Sequence, residues 1–311
     1  MAVKNIDISI ITINYNSTGY TIRCIESILQ NTTKTLNYEV LVVDNASELK
    51  DLQTLEQGIK SLNNSRIKLL KSRINTGFGG GNMFGVQHAQ GRYYVFLNND
   101  TLLIDDPIHR CYEFMERSTH VAISGPQIYD ENHKTTISFD YFTSFAREVF
   151  GRELVSFLWK KPKRRFDYKE PIEIDYVNGS FMFTRAEDFN SVGGFDTNIF
   201  LYFEESDLCH RLKKIGKPTY FLPSASYLHF QDRSVRKNTT SIAKKIELKT
   251  SMFYVIRKNY GYFHYQVLRM VFIFRYGCTS LVKPKYFALF KHILIGLPIG
   301  KSLKHQQAIK N

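Results

Sequence analysis

The sequence predicts an α/β protein with a mostly parallel central sheet flanked by helices, followed by a basic helical extension. Three observations predict it. Short apolar runs alternate with helix-period segments through the first third of the chain. Clusters of Asn, Asp and Ser fall directly after several of those runs. Positive charge gathers behind residue 235.

Residues 6–13 (IDISIITI) read as a buried strand, and 20–31 carry a helical pattern through Ile22, Cys24, Ile25, Ile28 and Leu29. YEVLVV (38–43) is a second strand ending at Asp44, followed by a polar helix from Leu49 to Leu62. RIKLLK (66–71) is a third strand. Asn75 to Gly81 reads as a glycine-rich turn and Met83 to Gln90 as a helix. RYYVFL (92–97) is a fourth strand running into Asn98, Asn99 and Asp100. Such alternation is the signature of βαβ units. Ligands of these sheets bind beyond the carboxyl ends of the strands, so Asn14–Ser17, Asp44–Ser47 and Asn98–Asp100 are expected to converge on one crevice. Further on, 121–129 hold a short strand, and 130–170 a loop or flap with the basic run KKPKRR at 160–165, read as a solvated face. Residues 174–184 read as a strand with a Gly bend and 186–192 as a helix. The acid-rich FLYFEESDLCHRLKKIG and the apolar YFLPSASYLHF follow.

The chain has 311 residues, 43% hydrophobic and 23% charged, enough for a substantial core and unlike a disordered chain. Its four cysteines lack C-x-x-C spacing and read as small core residues of a reducing compartment. Arg236–Asn311 hold 15 Lys and Arg against one acid, Glu247. Of the formal +13, that segment supplies +14 and the preceding residues −1. The expected division is 1–235 and 236–311. No secretory signal pattern stands at the N-terminus, and no stretch reaches the roughly 18 apolar residues of a spanning helix. Segments 263–276 and 286–300 mix aromatics with Lys and Arg, which suits helices lying on an anionic membrane surface. A helical subdomain packed on the body is the alternative. No helix-turn-helix or finger spacing accompanies the charge, so nucleic acid is not expected as a partner.

Four places could carry chemistry. Asp44 could accept a hydrogen bond from a base or sugar, or cap the next turn. Asp100 could hold a hard divalent cation if a second ligand joined it, and His229 is a candidate, although a lone His among aromatics is also an ordinary core residue. Glu204, Glu205 and Asp207 suit a helix start, where carboxylates meet the dipole. Their apolar approach, Phe200–Phe203, would raise the pKa of the first acids and favour Glu205 or Glu204 as a general base. The glycines of 75–82 could admit a nucleotide or simply form a turn. No G-x-S-x-G elbow or Cys/His pairing supports a hydrolase.

ITINYNS (11–17), EVLVVDNAS (39–47), NTGFGGGN (75–82), GRYYVFLNNDT (91–101), VGGFDTNIFLYFEESDLCHRLKKIG (192–216) and Leu228-His229 together resemble the family 2 glycosyltransferases, nearest to bacterial rhamnosyltransferases of cell-wall and polysaccharide assembly. The resemblance spans about residues 6–235. It implies a GT-A fold and an inverting, metal-dependent transfer of L-rhamnose from dTDP-L-rhamnose to a lipid-linked saccharide, at the cytoplasmic face of the bacterial plasma membrane. A UDP-hexose donor, or a non-catalytic nucleotide-sugar-binding or scaffolding role, are the alternatives. It implies that Thr12, Tyr15 and Asn16 line the nucleotide pocket, that Asp44 reads the pyrimidine, and that Gly77, Phe78, Gly79 and Asn82 lie under the donor. Asn98 and Asn99 stand where the family's metal motif more usually has other residues. Asp100 and His229 are implied as ligands of Mg²⁺ or Mn²⁺, and Gly179 and Ser180 as the acceptor side. Glu205 stands where the family usually has an aspartate base, with Glu204 and Asp207 competing. Homo-oligomer formation is left open.

Overall fold

The computed structural model describes residues 6–230 and 242–309. The expected division at 235/236 lies outside the described residues. The N-terminal part alternates β1 (Ile8–Asn14), α1 (Thr18–Asn31), β2 (Tyr38–Asn45), α2 (Leu49–Leu62), β3 (Ile67–Ser72), α3 (Gly77–Val86) and β4 (Tyr93–Asn98). Then come β5 (Thr101–Leu103), α4 (Pro107–Arg117), β6 (Ile123–Tyr129), β7 (Phe139–Asp140), α5 (Phe145–Phe150) and α6 (Arg152–Leu158). β8 (Ile172–Ile174), β9 (Tyr176–Val177), β10 (Phe181–Arg185), α7 (Ala186–Ser191), α8 (Glu204–Lys214) and β11 (Thr219–His229) complete the body. Three helices follow: α9 (Ile242–Tyr260), α10 (Tyr262–Val282) and α11 (Phe287–Leu294).

Nine strands form one sheet in the order β3-β2-β1-β4-β10-β6-β11-β5, with β8 also on β11. The sheet is mixed, not mostly parallel. β3, β2, β1 and β4 are parallel, β10 runs antiparallel to both β4 and β6, β11 is parallel to β6, and β5 and β8 are antiparallel to β11. An apolar run reports burial and carries no direction, and β10 is as buried as its parallel neighbours. The consequence for the site is simple. β1, β2, β4 and β11 all point the same way, so Asn14, Asp44, Asn98 and His229 lie along one edge. The reversed β10 brings the turn before Phe181 to that same edge.

The glycine-rich segment is the second departure. It belongs to helix α3, not to a turn. The helix lies close on β1 and β2. A Cβ at Gly85 would stand 2.5 Å from Ile11 Cγ2, and one at Gly81 2.9 Å from Ile13 Cδ1. Close packing explains residues that otherwise cost a helix up to about 1 kcal/mol each. Only Gly77 also needs its backbone freedom, with φ +75° and the Phe200 carbonyl where a Cβ would be.

Two apolar clusters cover the faces of the sheet. One includes Ile8, Ile10, Val40, Val42 and Ile25, the other Ile11, Val43, Phe96, Phe189 and Phe195. Cys24, Cys111 and Cys209 are buried as expected, whereas Cys278 is exposed. The C-terminal helices build their own cluster around Phe253, Ile256, Leu268, Phe272 and Ile293, joined by Phe145 and Val149 of α5. Lys258 of α9 pins them to the body through Asp196 (2.8 Å) and Asp207 (2.9 Å), and Ser251 donates to the Leu201 carbonyl (2.8 Å). The run 160–165 is partly inward: Lys161 pairs with Asp175 (2.9 Å) and Arg164 with Asp140 (3.5 Å).

Candidate active site

On the β1–β2 side the edge is built from saturated hydrogen bonds. Asn14 is fully buried, and its Nδ2 reaches Asp44 Oδ1 (3.0 Å), Ser47 Oγ (3.0 Å) and Asp51 Oδ2 (2.9 Å). Its Oδ1 accepts from Thr21 Oγ1 (2.7 Å). Asn99 Nδ2 donates to that same Thr21 hydroxyl and to Ser17 (both 2.7 Å), tying the end of β4 to α1. Asp44 Oδ2 accepts from Ser47 N (3.1 Å), so the turn-stabilising bond is present. Asn16 turns the chain at φ +53°, with Oδ1 accepting from Glu48 N (2.7 Å). Tyr15 is exposed and Thr12 fully buried, so only Tyr15 of these two offers surface to a ligand. A cleft of about 420 Å³ beside this edge is lined by Asn16, Ser17, Tyr20, Arg23 and Asp51. Asn14 heads the polar cluster Asn14–Ser17 expected at this crevice, whereas no sequence signal marks Asp51 within the polar helix α2.

α3 and α8 face each other across the edge. Phe78 N donates to the Phe200 carbonyl (3.0 Å), and Asn82 Nδ2 donates to the Phe78 carbonyl (3.1 Å), which fixes the start of α3. Gly79 lies against Glu204: a Cβ there would be 3.6 Å from Glu204 Cγ. The chain enters α8 through Tyr202 and Phe203, both left-handed at φ +72° and +74°. Two consecutive bulky residues in that region store backbone strain of about 1–3 kcal/mol each. The sharp entry sets the two glutamates at the helix start.

Those glutamates are the least comfortable groups in the molecule. Glu204 is buried, and its Oε1 has no hydrogen-bond partner among the described residues. Burial, then the neighbouring Glu205 charge, push its pKa well up. Glu205 keeps part of its surface open, yet protein atoms ring its carboxyl, and this burial raises its pKa from 4.5 to about 7, with Asp140 adding to the rise. A Cβ at Gly179 would sit 3.7 Å from the Glu205 carboxyl carbon and 3.7 Å from Phe78 Cζ, so the missing side chain leaves room over the carboxyl. Ser180 is tied down by Tyr227 OH (2.6 Å) and Asn178 Oδ1 (2.8 Å), and its carbonyl accepts from Asn98 N (3.0 Å). Asp207 stands apart. It is fully buried and held by Arg211 Nε (2.8 Å) and Lys258 Nζ (2.9 Å), which makes it an anchor for α9.

Asp100 follows β4 and His229 ends β11, and their side chains meet at 3.2 Å (Nε2 to Oδ1). Pairing of His229 with Thr101 and of Phe230 N with the Asp100 carbonyl (2.9 Å) fixes this register. A carboxylate beside an imidazole fits two positions of a divalent-cation site. Among the described residues no third His, Cys, Asp or Glu completes a metal cluster, so the remaining positions would fall to ligand oxygens and water. The contacts Asp100–His229, Asn98–Ser180 and Gly179–Glu205 run side by side along one edge, with Asp44 further along it.

The architecture is that of GT-A glycosyltransferases. A crystal structure of GalNAc-T7 with UDP, GalNAc and Mn²⁺ superposes with a TM-score of 0.62 over 82% of this chain and 48% of that one, at 14% identity, a likeness of fold. The chain belongs to glycosyl transferase family 2, whose model matches residues 9–193. Among its relatives, rhamnosyltransferase WbbL of Escherichia coli (strain K12) is 29% identical over 194 residues, 58% of this chain and 71% of that protein. N-acetylglucosaminyl-diphospho-decaprenol L-rhamnosyltransferase of Mycobacterium tuberculosis (strain CDC 1551 / Oshkosh) is 32% identical over 122 residues, 38% of this chain and 40% of that protein. Low-salt glycan biosynthesis hexosyltransferase Agl10 of Haloferax volcanii is 24% identical over 219 residues, 67% of this chain and 62% of that protein.

Proposed function

We propose that the chain is an inverting rhamnosyltransferase that moves L-rhamnose from dTDP-L-rhamnose to a hydroxyl of a lipid-linked saccharide. The observation that carries the transfer reading is the open, half-ionisable Glu205 carboxyl beside Gly179, on the same edge as Asp100 and His229. The rhamnose choice is supported by the names of two relatives.

In this reading the base and sugar of the donor lie between Tyr15, Asn16 and Asp44 and the start of α3. Glu205 accepts the proton of the acceptor hydroxyl as that oxygen attacks the anomeric carbon. The bond from that carbon to the diphosphate breaks and the configuration inverts. With a pKa of about 7, Glu205 is both basic enough and ionised enough to serve near neutrality. Glu204 beside it has its own pKa pushed well up, first by burial and then by the Glu205 charge. Asp100 and His229 would hold Mg²⁺ or Mn²⁺, which when bound neutralises charge on the departing diphosphate.

The protein lies peripherally on the cytoplasmic face of a bacterial plasma membrane. Among the described residues no helix is long and apolar enough to cross a bilayer. α10 instead exposes Phe263, Met270, Phe274 and Leu281 at helical spacing, next to Lys and Arg. The test is a hydrolysis and transfer screen across dTDP- and UDP-sugars with Mn²⁺ or Mg²⁺. Turnover of dTDP-L-rhamnose is expected. Turnover of UDP-hexoses alone would replace the donor, and an inert protein with every donor and lipid-linked acceptor would make it a binding protein.

A further inference from the structure

A second cavity, also about 420 Å³, lies between the α5–α6 segment, α8 and the α9–α10 junction, away from the donor edge. Its lining is unusual for a structural gap. Arg147, Arg152, Lys161, Lys213 and Lys214 all face it, with Asp175 as the only acid in the wall. Asp175 is shared by Lys161 (2.9 Å) and Lys213 (3.2 Å), and Asp140 by Arg147 (3.1 Å) and Arg152 (3.2 Å). Lys214 has no acid partner among the described residues. Burial and the crowding of Arg147 and Arg164 pull the Arg152 guanidinium below its usual pKa, even against the attraction of Asp140. Lys213 also meets Glu173 (3.6 Å), yet the five lining cations outnumber Asp140, Asp175 and Glu173, the acids they pair with.

Trp159 also lines the cavity, and the same short stretch exposes Phe150, Leu154, Phe157 and Leu158 beside it. Phe157 is 80% exposed, which isolated solubility does not favour. α5 packs through Phe145 and Val149 on the cluster that also holds α10, so this stretch and the exposed stripe of α10 belong to adjoining elements.

α8 links the cavity to Glu205. α8 starts with Glu204 and Glu205 and carries His210, Lys213 and Lys214 onward. The eight residues from Glu205 to Lys213 rise about 12 Å, the reach of one hexose and its diphosphate. Aromatic rings line the interval. Phe142 stacks on Tyr176 (6.1 Å) and meets His210 edge-on (5.1 Å), while Tyr176 is close enough to Glu205 and Asp140 for their charges to oppose its ionisation.

We propose that this cavity binds the diphosphate of a lipid-linked acceptor, with Trp159 and the exposed side chains of α6 taking the first part of its apolar chain. The proposal rests on the transferase reading above and locates the acceptor within it. An anion with an apolar tail matches both the cations that line the cavity and the exposed apolar side chains beside it.

Trp159 is the only tryptophan in the chain, so its fluorescence reports directly on the site. Farnesyl diphosphate, titrated into the full-length protein, is expected to change that emission saturably. Inorganic pyrophosphate is expected to compete, and farnesol to bind at least about tenfold more weakly, for want of charge-assisted bonds. Lys213→Glu/Lys214→Glu should weaken farnesyl diphosphate binding by about tenfold or more. The milder Lys214→Ala, at an exposed position, should weaken it a few-fold without touching the fold. Phosphatidylcholine vesicles with and without phosphatidylglycerol separate the sources: a Trp159 response produced equally by phosphatidylglycerol and not displaced by pyrophosphate would overturn the site in favour of general surface attraction. Equal binding of farnesol, or unchanged binding in both lysine variants, would overturn it too. Donor hydrolysis in the same preparation keeps the two readings apart. Hydrolysis without diphosphate binding refutes the cavity and leaves the transferase, whereas diphosphate binding without turnover of any donor does the reverse.

Discussion

The two ends of the candidate site are built in opposite ways. Around Asn14 every polar group has a partner: Asp44, Ser47, Asp51, Thr21 and Asn99 form one buried chain linking β1, β2, α1 and β4. At the start of α8, Glu204 is buried with an unpartnered oxygen, Glu205 is pushed to a pKa of about 7, and the backbone leading to them is strained. A saturated network gives rigidity and position. An unsatisfied acid pair costs stability and supplies reactivity. The contrast separates residues that hold the site from residues that act in it.

The strongest way to break the comparison is Glu205→Gln. It keeps shape and removes the proposed base, so transfer should fall by roughly 10²–10⁴-fold, with the fold retained. Transfer rates and thermal unfolding measured together check this. A variant of near-parental activity would remove Glu205 from the chemistry. Asp207→Asn serves as its control, because Asp207 is bound by Arg211 and Lys258 and should act on the docking of α9 and not on the pH dependence of transfer.

Next in size is Asn14→Leu. It should cost about 2–4 kcal/mol in stability, because Asp44, Thr21 and Asp51 lose a shared buried partner. Urea unfolding reads the loss directly. A cost below about 1 kcal/mol would mean that the network is not cooperative.

How much of this was legible in the sequence depended on whether local chemistry or long-range geometry decided the matter. The strands β1–β4 and the helices α1 and α2 follow the sequence pattern, and Asp44, Asp100 and Glu204–Glu205 stand at strand and helix ends that the pattern marked. The reversal of β10 was not legible, since FMFT is equally apolar in either direction. Nor was α3, whose glycines answer to Ile11 and Ile13 on a strand far away in sequence. Thr12 illustrates the same limit: its motif placed it in a pocket, but its side chain falls on the buried face of β1. The stretch 145–159 read as loop because its two helices are short and amphipathic on no clear period, and their apolar side faces outward.

The acid pair makes a pH prediction of smaller size. Both folded-state pKa values are raised, so the folded protein binds more protons than the unfolded chain between pH 4.5 and about 7. The stability contributed by this pair therefore falls as pH rises: the Glu205 part is lost through about 7, and the Glu204 part is lost as its own raised pKa is passed. Glu204→Gln removes the buried charge and keeps the shape. It should stabilise the protein relative to the parent by an amount growing with pH, reaching about 1–2 kcal/mol on the alkaline side. Transfer should move oppositely, rising with pH through about 7 as Glu205 ionises. A stability difference independent of pH would mean that Glu204 carries no penalty in the folded state.

Gly179→Ala is the gentlest probe and the one that sharpens the contrast most. The added methyl would stand 3.7 Å from both the Glu205 carboxyl carbon and Phe78, at ordinary contact distance. It therefore strains nothing, and stability should change by less than about 0.5 kcal/mol. It does fill the space over the carboxyl through which an acceptor hydroxyl approaches. A few-fold rise in KM for the acceptor is expected, with KM for the donor unchanged, because the proposed donor pocket lies on the Asn14 side. A rise in both constants would mean that the two ends of the edge form one pocket and not two, and the division between holding and acting residues would then have to be drawn within it.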